Sequence, residues 1–400
     1  MIETGPTSNT IESQNLLSGA IAAGETEVTL RLLKGGTNIQ YKASVNGSTP
    51  YFQRPLHLAA IAGYLDTVRV LLEYGAPAKH VTVGTVGQDE LTIEHHLSGI
   101  PPTPLRLAIS YGHTEIFWLL IRPEHRPAVT SKEYSICMRE AAKTGRIDLI
   151  DALCKVIGRH WTEIHDLGVE LMMAATRHNQ KEVVSMLLNH GISPNLSPPA
   201  YRSSALHLAA SLGHTAVVEL LMDRGASLKF NPNEQVQDCL PIEGAAEGGH
   251  TELVKILLDR GADPAPALRS AAQGGNPFLL AYLLQRFPEL PGMGGGDVGQ
   301  QAMFKALVTG NLAIVTRLVE AGVQLDDGTV SVQDGWDDMD YGLPQCSMEM
   351  VAKEFPMYLV RHLIRLGARS VDTAGCKEVY EYPIRGIRIS ERTWQWVGKS

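Results

Sequence analysis

Three stretches of this chain can be laid over one another almost without a gap: RPLHLAAIAGYLDTVRVLLEYGA (54–76), SALHLAASLGHTAVVELLMDRGA (204–226) and LPIEGAAEGGHTELVKILLDRGAD (240–263). A fourth, TPLRLAISYGHTEIFWLL (103–120), shares the first half. Self-similarity of this kind constrains a fold more than composition does. Each unit is one small motif that cannot cover its own apolar face, so neighbours must stack to share a core. Within one unit, Leu56, Ala59 and Ala60 fall three and four apart, as on one helical face. Gly63 breaks that helix and permits a turn. Val68, Leu71 and Leu72 then line a second, antiparallel helix, and Gly75 suits a helix C-terminal cap.

Following the middle glycine along the chain gives Gly24, Gly63, Gly112, Gly145, Asn179, Gly213, Gly249, Gly275, Gly310 and, degenerate, Phe355. The steps between them are 39, 49, 33, 34, 34, 36, 26, 35 and 45 residues. In six units a second glycine follows 12 residues later: Gly36, Gly75, Gly191, Gly225, Gly261 and Gly322. These residues resemble the ankyrin repeat, whose pattern runs TPLHLAA-x-x-GH-x-E-x-V-x-x-LL-x-x-GA and whose period is about 33. The resemblance implies an all-α fold: a solenoid of about ten stacked helix-turn-helix units over residues 14–370, several degenerate. Residues 1–13 read as an N-terminal tail. Insertions are expected at about 79–102, with His95 and His96, and at about 325–345, which is acidic and carries Trp336 and Tyr341. RFPELPGMGGGDVG (286–299) reads as a hinge-like loop. Residues 371–400, with Trp394 and Trp396, read as a tail that caps the last repeat.

Composition narrows the class. By length alone, 400 residues would suggest two or three domains, but a repeat array merges them. Apolar residues at 44% and charged residues at 20% describe a globular chain. Cysteines 137, 154, 239, 346 and 376 are odd in number and far apart, with no metal-ligand spacing, which reads as reduced and mostly buried thiols. The start lacks a basic stretch followed by an apolar one, and no apolar run of about 18 residues occurs, so neither a secretory leader nor a membrane span is expected. A cytoplasmic protein follows, with the nucleus left open. The net charge of −8 argues against a nucleic-acid binder.

In the family the resemblance points to, the two residues before the middle glycine and the histidine six before it lie toward the concave side, the usual binding surface. Here repeats 3 to 5 place Arg106, Arg139, Lys143, Arg177 and His178 there, with Tyr111 beside them, and repeats 7 and 8 place Glu243, Glu247 and Arg269. Neighbouring cations repel, and an anionic group relieves them; so do protein carboxylates such as Glu140, Asp148 and Glu170. A Glu243–Arg269 salt bridge between adjacent repeats is expected. His57 and His207 hold the family's structural histidine position, where the ring bonds nearby backbone or hydroxyl groups. His113, His214 and His250 are structural on the same argument. Trp118, in the run IFWLL, reads as core.

Nucleophile-elbow, P-loop, zincin and Rossmann motifs are absent. No cofactor or metal is expected, and no basic-aromatic array for nucleic acid is found. The first functional reading is a scaffold that docks a protein or peptide segment in its groove, through Arg106, Tyr111, Arg139, Lys143, Arg177 and His178. The alternative is a noncanonical enzyme with a small-molecule pocket roofed by the insertions and tail, using His178, Glu243, Glu247 and Tyr111 as acid and base groups. A third reading is a spacer within a larger scaffold, with no site of its own.

Overall fold

A computed structural model describes residues 8–39, 54–78, 102–164, 166–195, 203–229 and 240–323. The 325–345 insertion, the 371–400 tail, the tenth repeat and almost all of the 79–102 insertion lie outside the described residues. The chain divides into two compact units, residues 1–239 and 240–400, where the repeat pattern alone suggests one continuous array. Each is described by itself.

Among the described residues the first unit has six helix pairs. They are α1–α2 (Ser8–Ala23, Thr26–Lys34), α3–α4 (Pro55–Ala62, Leu65–Glu73), α5–α6 (Pro104–Ser110, Thr114–Leu120), α7–α8 (Glu133–Lys143, Ile147–Ile157), α9–α10 (Leu167–Arg177, Lys181–Asn189) and α11–α12 (Ala205–Ser211, Thr215–Asp223). A 3₁₀ turn at Trp161–Glu163 precedes α9. First helices pack on first helices in chain order, from α1 through α11. The second unit contains α13–α14 (Pro241–Glu247, Thr251–Asp259), α15–α16 (Pro264–Gln273, Pro277–Arg286) and α17–α18 (Asp297–Val308, Leu312–Glu320). There α13 packs on α15, and α15 on α17. All described secondary structure is helical, as the repeat pattern requires. None of these helices is long and apolar enough to cross a membrane.

Starts and stops follow local chemistry. Proline at the first turn of α3, α5, α13, α15 and α16 gives up a donor that has no helical partner there. The hydroxyls of Thr103 and Ser204 accept from the backbone N–H three residues on, as N-caps. The middle glycine ends the first helix in the left-handed region: Gly63 has φ 83° and Gly145 φ 77°. A second demand falls on both positions. The ring of His113 occupies the space a Cβ on Gly63 would need, and the Gln180 amide does so at Gly145. Asn179 holds the same column with φ 58°, a conformation asparagine tolerates better than most residues.

The residue after the middle glycine ties each repeat to the one before it. His113 Nε2 lies 2.8 Å from the carbonyl oxygen of Ile61, and His214 Nε2 lies 3.1 Å from that of Arg177. Gln180 donates to the Lys143 carbonyl at 2.9 Å, and Asn311 to the Gly275 carbonyl at 3.4 Å. Carbonyls at first-helix ends are thus satisfied across the repeat boundary. The core itself is aliphatic: Leu56, Ala59, Ala60, Val68 and Leu71 of repeat 2 are all buried.

Three differences from the sequence reading stand out. Helix α1 starts at Ser8, inside the stretch read as a tail. Trp118 is 48% exposed, not core. It points outward between the buried pairs Ile116–Phe117 and Leu119–Leu120, at the register where α4 carries Arg69 and α8 carries Asp151. The segment read as a hinge forms a 3₁₀ turn at Leu290–Gly296, packed on α17, with Leu290 buried. The 26-residue step into repeat 8 arises because α15 begins at Pro264, three residues after Gly261, leaving no room for a loop.

Candidate functional site

The charged residues of repeats 3 to 5 are brought together, but most serve each other. Arg106 Nη2 donates to Glu140 Oε1 at 3.1 Å, with both side chains about nine-tenths buried. Lys143 Nζ reaches the same carboxylate oxygen at 3.2 Å, and the Ser110 hydroxyl donates to its other oxygen at 3.2 Å. Burial alone pushes the Glu140 carboxyl up. Lys143 and Arg106 beside it, with the hydrogen bonds from Lys143 and Ser110, outweigh that, and the net shift is downward. Arg106 Nη1 is buried and makes no hydrogen bond among the described residues. Arg106 is therefore an interior group of the repeat 3–4 junction and does not stand in the groove.

Deeper in the same junction the Thr103 hydroxyl donates to Glu133, and the Cys137 thiol points at the same carboxylate oxygen at 3.8 Å. Burial, then the Glu133 carboxylate, push the Cys137 thiol well above its ordinary range, so it is held as the thiol. Cys137 and Cys154 are both unbridged and buried. Arg139 Nη1 lies 3.5 Å from Glu170 Oε2 of the next repeat. Asp148, the third carboxylate singled out in the sequence, turns instead to Arg146 at 2.6 Å.

What remains open to solvent forms a row at first-helix C-termini. Tyr111 is 56% exposed and its ring stacks on His113 at 6.5 Å between centroids. Lys143 keeps about a third of its side chain in solvent. Arg177 and His178 are exposed, and Arg177 pairs with no carboxylate among the described residues. Leu212 is 41% exposed. Residue type alone does not mark Leu212. Its place directly before the middle glycine of repeat 6 is the signal that identifies it.

The remaining expected site residues belong to the second unit. Arg269 Nη2 lies 3.6 Å from Glu243 Oε1, and Arg269 Nη1 donates to Gln301 at 2.8 Å. Glu243 Oε2 also accepts from the Leu240 backbone at 3.0 Å, closing the start of α13. Glu247 is exposed and accepts from Ser270 at 3.5 Å. The acid and base set named for an enzyme is thus split, with Tyr111 and His178 in the first unit and Glu243 and Glu247 in the second. A shallow depression of about 440 Å³ lies on α10, lined by second-helix residues including Lys181, Met186 and His190. It lies off the row of first-helix ends. Among the described residues no group of three His, Cys, Asp or Glu side chains is placed to hold a metal ion.

Of the histidines, His57 is the perturbed one. Burial first, then the Arg54 charge, lower its pKa to about 4 against an opposing hydrogen bond with the Pro102 backbone. Its Nδ1 is buried without a partner among the described residues. The ring therefore contacts the next repeat as a neutral group.

Comparison with known proteins agrees with this architecture. The family description "Ankyrin repeats (3 copies)" matches residues 138–234 and 171–267, and "Ankyrin repeat" matches 53–82. The palmitoyltransferase ZDHHC17 of Homo sapiens is 28% identical over 173 residues, 43% of this chain and 25% of that protein. The ankyrin repeat domain-containing protein SAT10 of Stachybotrys chartarum is 25% identical over 277 residues, 68% of this chain and 12% of that protein. This chain therefore spans about a quarter or less of either relative. The crystal structure of the human ASB11 ankyrin repeat domain aligns with a TM-score of 0.42 at 23% identity, covering 62% of this chain and 98% of that one. Residues 53–82 and 138–267 are ankyrin repeats, a repeat that in general mediates protein–protein interaction.

Proposed function

We propose that this ankyrin-repeat chain is a binding scaffold whose first unit docks a segment of a partner protein along the C-terminal ends of α5, α7, α9 and α11. One observation carries the reading. The bodies of these four helices are largely buried, while the ends of α5, α9 and α11 expose Tyr111, Arg177, His178 and Leu212, and the end of α7 leaves Lys143 partly in solvent. Single exposed apolar residues are ordinary, and Phe278 and Trp118 are exposed elsewhere; what distinguishes Tyr111 and Leu212 is that they flank exposed cations at equivalent helix ends. An interface gains anchors of the kinds that dominate binding energy, aromatic and arginine. Inter-repeat bonds such as His214 to the Arg177 carbonyl fix the spacing of these anchors, so little ordering is required on binding. Arg106 and Arg139 support the row from within, through Glu140 and Glu170.

The test is affinity capture with the full chain beside two variants. Tyr111→Ala with Leu212→Ser alters the row, and Trp118→Ser alters the outward face of α6. A partner recovered with the wild type and with Trp118→Ser, but lost with the row variant, supports the reading. Recovery that depends on Trp118 and not on the row defeats it.

A further inference from the structure

We infer that the partner segment is an acidic peptide in an extended, polyproline-like conformation, with two carboxylates three residues apart between two apolar side chains. This deepens the reading above and rests on it.

The first argument is charge. In repeats 3 to 5 four cations, Arg106, Arg139, Lys143 and Arg177, accompany three carboxylates, Glu133, Glu140 and Glu170. Glu170 is matched to Arg139. Glu140 is shared by Arg106 and Lys143; Arg106 is buried, so the Lys143 ammonium, with 30% of its side chain in solvent, is the one positive charge of that cluster open to an added anion. Arg177 brings a second, with no carboxylate against it among the described residues. The chain as a whole carries −8, so this local excess runs against the sign of the molecule. An anionic side chain at each cation forms the charge-assisted bonds that protein carboxylates leave unmade there.

The second argument is spacing. Tyr111, Lys143, Arg177 and Leu212 occupy successive repeats, each at one or two residues before the middle glycine. Packed helices stand about 8–10 Å apart. A polyproline-type peptide turns once in about three residues and rises about 3.1 Å per residue, so every third side chain returns to the same face after roughly 9 Å. Lys143 and Arg177, both two residues before the middle position, match one such step, with Tyr111 and Leu212 one residue further on at either side. Ten residues in that conformation place positions one, four, seven and ten opposite Tyr111, Lys143, Arg177 and Leu212. The motif is apolar-x-x-acidic-x-x-acidic-x-x-apolar, in either chain direction. An α-helix returns to one face after about 5.4 Å and meets the spacing only at every second turn, about 10.5 Å, just beyond the 8–10 Å of packed helices.

The test uses a displayed library of random ten-residue peptides selected on the full chain at low salt. The expected result is enrichment of Asp or Glu pairs at three-residue spacing flanked by apolar residues. Binding of the enriched peptides should weaken roughly tenfold in Arg177→Gln, the scale of one charge-assisted contact, and less in Lys143→Gln. It should also weaken several-fold as salt rises to about 0.5 M. Enriched peptides with no acidic excess, unaffected by Arg177→Gln but lost with Tyr111→Ala and Leu212→Ser, overturn the acidic motif and leave the docking row standing. Peptides indifferent to all four positions overturn both. A selection that enriches nothing overturns the inference, since such a row of anchors asks for no folded partner.

Discussion

The two units answer the same local problem at different depths. In the first, the family's histidine column carries Arg106, paired at 3.1 Å with Glu140 of the next repeat, both nine-tenths buried. In the second, the column carries Glu243 and Arg269, paired at 3.6 Å with 25% and 30% of their side chains exposed. Repeat 2 shows the ordinary solution, a neutral His57 against the Pro102 backbone. Depth decides what each substitution means. A buried pair broken on one side leaves an uncompensated charge, whereas a half-exposed pair loses little because water takes over. Arg106 is therefore structural, whereas Arg139 in the same column, 3.5 Å from Glu170 with 21% of its side chain exposed, resembles the shallow pair of the second unit. Under the proposed docking, Arg177 and the exposed part of Lys143 are the charges that a partner would meet.

The largest expected effect breaks the buried pair. Arg106→Met should destabilise the chain by about 3 kcal/mol. Lys143 and Ser110 still serve Glu140, so the loss stays at the low end for such a rupture. Adding Glu140→Leu should restore part of it. Chemical denaturation of the full chain measures both, and a loss under about 1 kcal/mol would place this pair with its exposed counterpart.

Histidine protonation comes next. The folded pKa of His57, about 4, lies below its ordinary 6.5. The unfolded chain then binds the extra proton across that window, so stability falls as pH drops from about 6.5 toward 4. The full effect is roughly 3 kcal/mol, at 1.36 kcal/mol per pH unit. His57→Gln should flatten the decline over that range. The lowered Glu140 adds a further loss as pH falls below its ordinary 4.5. A denaturation series at stepped pH separates the two, because only the first disappears in His57→Gln.

Smaller effects follow. Gly63→Ala should cost about 2 kcal/mol, since the left-handed backbone disfavours a Cβ and the His113 ring has to move. Adding His113→Ala should remove the clash but not the backbone strain. Trp118→Ser should cost about 1 kcal/mol, because half of the ring is covered and it packs edge-on against Phe117; a loss above about 3 kcal/mol would place the ring with the core. Arg269→Gln, at the shallow pair, should cost less than about 1 kcal/mol.

Much of this was readable in the sequence, and the exceptions have causes. The middle-glycine column located every described helix pair because the turn demands a left-handed residue, and in Gly63 and Gly145 also an absent Cβ. The Glu243–Arg269 pair was readable because both partners sit in the same column. Arg106 was misplaced in the groove because its partner Glu140 sits one residue off that column, 34 residues on, where column reading does not look. Trp118 was misread because IFWLL is apolar throughout, and only the register against Arg69 and Asp151 shows that one of its five residues faces out. The turn at Leu290–Gly296 was hidden by its glycines, since what holds it is the burial of Leu290 against α17.

The most direct measurement of the central claim is amide hydrogen exchange on the full chain, with and without the partner recovered by capture. The account requires new protection at the C-terminal ends of α5, α7, α9 and α11, around Tyr111, Lys143, Arg177 and Leu212, with α6, α8 and α10 unchanged. Protection confined to those second helices, or to the second unit alone, would contradict it.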